Sequence, residues 1–258
     1  MIRHLFKLIW NRKRANALVI TEIFVCFLVL FIVLTASLYS IQNYSRPLGF
    51  DYSRVSSVEV EFDESPRNDG SSSTTGNSVP PPKEENPFEN RQRALLQVAK
   101  ADPAVEEAAW GWPLPFSHSN EVTSYTFRKR AIRYSVARVT DEYKSVMGIV
   151  ITKGRWFSSE DDGMDYEALV ISEALARDAF GDEDPVGKSL TADRNADDKE
   201  PEKERRVVGV MQAFRQEGEM ETSVNYAMRR ASYSKAHMRR VAGMALRLKP
   251  GSDASVEA

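Results

Sequence analysis

"AFGDEDPVGKSL", residues 179–190, invites comparison with a phosphate-binding loop, and the outcome decides how the surrounding chain is read. A P-loop needs a glycine, four residues, then Gly-Lys-Ser or Gly-Lys-Thr, so that backbone N–H groups wrap the phosphates and the lysine reaches them. Here five residues separate Gly181 from Gly187 and Lys188, and Asp182 stands where the first glycine is required. Asp182, Glu183 and Asp184 would also set three carboxylates against an anion. The flanks are reversed. A P-loop follows a strand and opens a helix, whereas residues 172–180 ("SEALARDAF") read as a helix running into the loop. The chain is therefore not read as an ATPase.

Working outward, residues 167–171 ("EALVI") form a buried-type strand, and Ser172 is placed to cap the following helix, with Glu173 at its positive end. Downstream, residues 187–192 and 206–210 read as strands around a charged loop, 193–205. Upstream, alternation predicts a strand over 55–62, residues 105–110 read as extended, and 122–127 and 132–139 are β-rich runs. Residues 89–100 suit a helix, and 141–147 a shorter one capped by Asp141. "GWPLPF" (111–116) reads as a packed turn, and 151–162 as a turn followed by the aromatic pair Trp156 and Phe157. Residues 63–87 are rich in Ser, Gly, Asn and Pro and read as a flexible insertion. A last strand is expected over 241–248, whereas 216–240 carries no clear pattern.

Residues 17–41, "ALVITEIFVCFLVLFIVLTASLYSI", hold one charge, Glu22. As a helix they reach roughly 37 Å, enough to cross a hydrocarbon layer of about 30 Å. A cleaved signal sequence would have an apolar stretch of about 7–15 residues, shorter than this one. Glu22 lies close enough to the start of the span to sit among the headgroups, the alternative being a place against a partner helix. Residues 1–41 contain five Lys or Arg, all before the span, leaving 30 of the 35 basic and 36 of the 37 acidic residues for the remainder. The positive-inside rule then keeps residues 1–16 in the cytoplasm and exports residues 42–258. Ile2, Leu5, Phe6 and Ile9 share one helix face, which suits either a helix lying on the inner headgroup surface or a flank of the span.

Little in the chain looks catalytic. His4, His118 and His237 are scattered, and one cysteine, Cys26, excludes both an internal disulfide and a thiolate zinc site. Ser119 beside His118 lacks a nucleophile-elbow context. The acids at 160–162 and 182–184 read as solvated loops, and the bases Arg229, Arg230, Lys235, Arg239 and Arg240 read as solvated in preference to a surface for anionic lipid headgroups or a partner. Near-neutral charge without aromatic interleaving argues against nucleic acid. No catalytic, cofactor-binding or metal-binding residue is assigned, and no cofactor.

Three segments together resemble the ABC transporter permeases of the MacB/FtsX type: 154–162 ("GRWFSSEDD"), 168–190 ("ALVISEALARDAFGDEDPVGKSL") and 205–215 ("RRVVGVMQAFR"). The resemblance implies an α+β chain: one transmembrane helix followed by a mixed α/β extracytoplasmic core. The opening stretch is then a structural corner, with Gly181 as a left-handed helix cap and residues 185–187 turning the chain into a strand. It further implies a permease subunit or fragment in a bacterial inner membrane, lacking the later membrane helices. Its partners would be a cytoplasmic ABC ATPase, a second permease and a periplasmic or outer-membrane protein. Motion driven by that ATPase would reach the core through the short segment 42–54. The rival reading is a single-span sensor whose external domain binds a ligand or partner.

Overall fold

The computed structural model describes residues 13–60, 87–117, 119–193, 203–219, 221, 225–233 and 241–252. The expected insertion at 63–87 (except Pro87), most of loop 193–205, the apolar stripe of residues 2–9 and all three histidines lie outside these residues. The chain divides into two compact units between Arg46 and Pro47.

The first unit contains helix α1 (Lys13–Tyr44). It begins before and ends after the expected span, and Ala17–Tyr44 is long and apolar enough to cross a membrane. Its large side chains, among them Phe24, Leu30, Phe31 and Leu34, are exposed, as expected for a helix whose solvent is lipid. Thr21 and Thr35 return their hydroxyl protons to the carbonyls of Ala17 and Phe31, so these polar groups are satisfied within the helix.

The second unit is a mixed sheet with helices. In chain order it holds β1 (Val55–Glu59), α2 (Pro87–Ala101), β2 (Val105–Trp112), β3 (Val122–Phe127), β4 (Arg130–Val139), α3 (Tyr143–Met147), β5 (Ile151–Gly154), a 3₁₀ turn (Ser159–Gly163), β6 (Glu167–Ser172), α4 (Glu173–Phe180), β7 (Arg205–Met211), β8 (Tyr226–Arg230) and β9 (Gly243–Leu248). The order across the sheet is β1-β9-β2-β4-β8-β6-β7-β5, with β3 forming a hairpin on β4. The pairs β4–β8 and β6–β7 are parallel and the others antiparallel.

Strand β6 has a continuous apolar run because both its faces are covered. Ala168 and Val170 pack with Tyr143, Phe214 and Tyr226, whereas Leu169 and Ile171 face α4 through Leu175, Ala179 and Phe180. Helix α2 lays Leu96 against Trp110 and Met244 on β2 and β9. The Trp110 indole is fully buried and donates to the Gln92 carbonyl at 3.2 Å, so its polar atom keeps a partner.

The Ser172 cap is formed as expected: its hydroxyl accepts from the Leu175 N–H at 3.2 Å. Four expectations are corrected. Glu142, not Asp141, occupies the cap position of α3, because the Asp141 carboxylate is taken by Arg230. Gly181 has φ +64° but ψ −126°, so it leaves the helix without adopting the left-handed helical conformation. The strand expected over 187–192 is reduced to one bridge, Ser189 to Arg206, since the chain there runs along the edge of β7 only briefly. The unpatterned stretch 216–240 supplies β8, a strand inside the sheet between β4 and β6.

Candidate functional site

The segment that leads into the core, Leu48–Val55, is fastened to it at three separate places. Gly49 comes first. Its φ is +86°, and a Cβ there would lie 2.1 Å from the Ala213 carbonyl oxygen, so backbone touches backbone and no other residue fits. Beside it the Arg215 N–H donates to the Leu48 carbonyl at 3.0 Å. Arg215 itself is buried, and its guanidinium fixes the next loop by donating to the carbonyls of Glu219 and Glu221.

The second fastening is at the end of α3, where the Asp51 N–H donates to the Met147 carbonyl at 2.8 Å. The third is β9. Arg247, 7% exposed, sends Nε to the Val146 carbonyl (2.7 Å), Nη1 to the Asp51 carboxylate (3.2 Å) and Nη2 to the Asp51 carbonyl (3.3 Å). One guanidinium thus joins the lead-in segment, α3 and β9. The Ser53 hydroxyl (2.7 Å) and N–H (3.0 Å) also donate to Asp51, and these bonds above all hold its carboxyl down at about 2. Arg54 adds bonds to Glu106 and to the Leu248 carbonyl, both at 2.9 Å.

Apolar packing reinforces the joint. Phe50 is buried against Phe214 (centroids 4.9 Å apart) and Phe116 (5.8 Å), while Tyr52 meets Phe116 edge-on at 5.5 Å. Leu48–Val55 is thereby bonded to the loop after β7, to α3 and to β9.

Strand β4, which leads into α3, has ten residues that span roughly 30 Å. At the far end lies the β3–β4 turn, where Arg128 and Lys129 have φ +50° and +64°. That conformation is costly for side-chain-bearing residues, and Asp193 offsets it by accepting both their N–H groups, at 2.9 and 2.8 Å. The "AFGDEDPVGKSL" corner sits beside this turn. Arg128 lies over the Phe180 ring and pairs with Glu183, and Lys188 pairs with the same carboxylate. Lys188 is thereby engaged within the corner.

Asp161, Asp162 and the first two bases of the 229–240 cluster are not in solvated loops, whereas Glu160 is exposed as expected. Asp161 is 3% exposed and accepts a two-bond fork from Arg155 (2.8 and 2.6 Å) and the Ser158 N–H (2.9 Å). Burial pushes its carboxyl up, but these donors outweigh burial and leave it below the ordinary value. Arg230 forks onto Asp141 (2.6 and 2.7 Å) and reaches Asp162 at 2.5 Å, and Arg229 forks onto Glu167 (2.7 and 2.6 Å). The partners lie 62 to 89 residues apart in sequence, a separation no local pattern reveals. Lys235, Arg239 and Arg240 lie outside the described residues, as does His118. Ser119 serves through its carbonyl, which accepts from the Gln216 side chain at 2.6 Å. Among the described residues no group of three or more His, Cys, Asp or Glu is placed to hold a metal.

A family model of the "MacB-like periplasmic core domain" matches residues 23–258. No curated protein matches the chain. Among solved structures, the periplasmic region of MacB from Actinobacillus actinomycetemcomitans is similar at 13% identity and TM-score 0.44, over 64% of this chain and 68% of that one. The extracellular domain of the noncanonic ABC-type transporter YknZ from Gram-positive bacteria gives 14% identity and TM-score 0.42, over 60% and 72%. A domain of a putative permease protein from Porphyromonas gingivalis gives 20% and 0.42, over 61% and 67%. With its apolar first helix, its mixed sheet and a match that runs from within that helix to residue 258, the chain belongs to the family of the MacB-like periplasmic core domain of ABC-type transporter permeases.

Proposed function

We propose that the chain acts as a permease subunit, or part of one, in an ABC transporter, passing ATP-driven motion from membrane helices to a core outside the membrane. The observation that carries this reading is the triple fastening of the lead-in segment, with Leu48 bound to Arg215, Asp51 to Met147, and Arg247 to both Asp51 and Val146. A flexible tether between helix and core would dissipate a displacement, whereas a segment held at three points delivers it to the sheet. In this reading ATP is hydrolysed by a separate cytoplasmic ATPase and the chain performs no covalent step. A second permease completes the membrane unit, a periplasmic or outer-membrane protein receives the motion, residues 1–16 stay on the cytoplasmic side of a bacterial inner membrane, and the core is exported.

The test has two parts. Tagged full-length protein should co-purify with an ABC ATPase, and protease added to right-side-out spheroplasts should digest the core but spare residues 1–16. A ten-residue Gly/Ser insertion between Arg46 and Pro47 should then leave ATPase recovery unchanged while abolishing transport-linked activity. Failure to recover an ATPase in several detergents would instead favour the single-span sensor. An insertion without effect would remove the mechanical role of the lead-in segment.

A further inference from the structure

The arginine forks around the start of β6 enclose a recess of about 220 Å³, large enough for several waters or one small ionic group. Four cations line it, Lys203, Arg205, Arg229 and Arg230, against three carboxylates, Asp161, Asp162 and Glu167. The carboxylates are turned toward arginines: Asp161 receives the Arg155 fork, Asp162 one bond from Arg230, and Glu167 the Arg229 fork. The donors are not used up. Arg229 spends Nε and Nη2 on Glu167, and its Nη1 hydrogens take no part in that fork. Lys203 makes one hydrogen bond, to the Met164 carbonyl at 3.3 Å, out of three available. The spare capacity of the recess is therefore cationic, and the arginine side chains beneath it are already held in place, Arg230 at 10% and Arg229 at 19% exposed. Preorganised guanidinium donors in a partly desolvated recess match an oxyanion.

We propose that this recess binds a small oxyanion, a carboxylate or phosphate group, through Arg229 and Lys203. The site lies apart from the lead-in joint and does not depend on the transport reading. Such a group would come from a solute or from the terminus of a peptide, and its occupancy would brace β6, β7 and β8 against one another.

The experiment uses the full chain in lipid nanodiscs, titrated calorimetrically with inorganic phosphate and separately with acetate, at constant ionic strength held by chloride. Saturable binding with a dissociation constant of about 1 mM is expected for at least one of the two. Lys203→Gln, at an exposed position that leaves the forks intact, should weaken it about five- to tenfold, and Arg229→Lys should weaken it by a similar factor. Phosphate binding without acetate binding assigns the site to phosphate groups, the reverse assigns it to carboxylates, and binding of both supports a general oxyanion site. Absence of saturable heat with either probe, or equal affinity in both variants, would overturn the proposal.

Discussion

Val55 lies opposite Arg247 in the antiparallel pair of β1 and β9, so the first strand of the core starts beside the end of the last described one. The Leu248 N–H closes the pair on the Arg54 carbonyl at 2.8 Å. The lead-in segment and the chain leaving β9 therefore share one end of the sheet, and the Arg247 guanidinium ties them together. Two neighbouring strands are therefore joined at the point where the chain enters the core.

Gly49 is the residue on which this arrangement rests most directly. Gly49→Ala should destabilise the core by about 3 kcal/mol, since it combines a φ of +86° with a Cβ 2.1 Å from a carbonyl oxygen. Gly187 is the internal comparison: its φ is +82°, yet nothing lies within 4 Å of the added carbon. Gly187→Ala should cost only the backbone strain, about 1–2 kcal/mol. Urea denaturation of the detergent-solubilised protein, followed by tryptophan fluorescence, reads both. Equal losses in the two variants would mean that the contact with Ala213 is not tight.

The Asp51 carboxyl gives the joint a predictable acid limit. The Ser53 hydroxyl and N–H lower it from 3.8 to about 2, against burial and with help from Arg247. A depressed carboxyl stabilises the fold above its unfolded value and loses that contribution as pH falls through its folded value. Wild-type protein should therefore exceed Asp51→Asn in thermal midpoint by a constant margin above about pH 4, and the margin should close between about pH 4 and 2. A margin unchanged at pH 2 would show that the charge is not its source.

Arg230 should be the most demanding position of the ion-pair region. It carries two bonds to Asp141 and one to Asp162, and its own side chain is 10% exposed. Arg230→Ala removes the guanidinium shared by Asp141 and Asp162, at a cost of about 3 kcal/mol near neutral pH. Arg230→Lys should recover less than half of that, because one ammonium cannot reproduce a fork and a third bond together. Denaturation curves at neutral pH test both statements.

What the sequence reveals follows from the range of the forces involved. Local rules place α1, α2, β2, β3, β4, β6 and α4 to within a few residues, because apolar period, caps and turn residues act within about one turn or one strand. Ser172 is legible for that reason: the N–H it caps lies three residues on. Strand β8 is illegible. Its five residues end in Arg229 and Arg230, which resemble a solvated basic loop until Glu167, Asp141 and Asp162 arrive from distant parts of the chain. The joint is half legible, since the shortness of segment 42–54 is visible in sequence, whereas the reach of Arg247 to a residue 196 positions away is not.

Lys188 closes the matter of the apparent phosphate loop. Its ammonium pairs with Glu183 and lies 5.9 Å from the Phe180 ring centroid, and Arg128 approaches the same carboxylate and the same ring. Binding a nucleotide there would require breaking this set and placing phosphates beside Asp182, Glu183 and Asp184. Lys188→Ala should therefore leave ATP affinity at zero, as in the wild type, when both are titrated with a fluorescent ATP analogue. Because the pair is exposed, the denaturation midpoint should also stay within the reproducibility of the measurement. Saturable ATP binding by the wild-type chain that is lost on this substitution would restore the phosphate-loop reading and remove the corner.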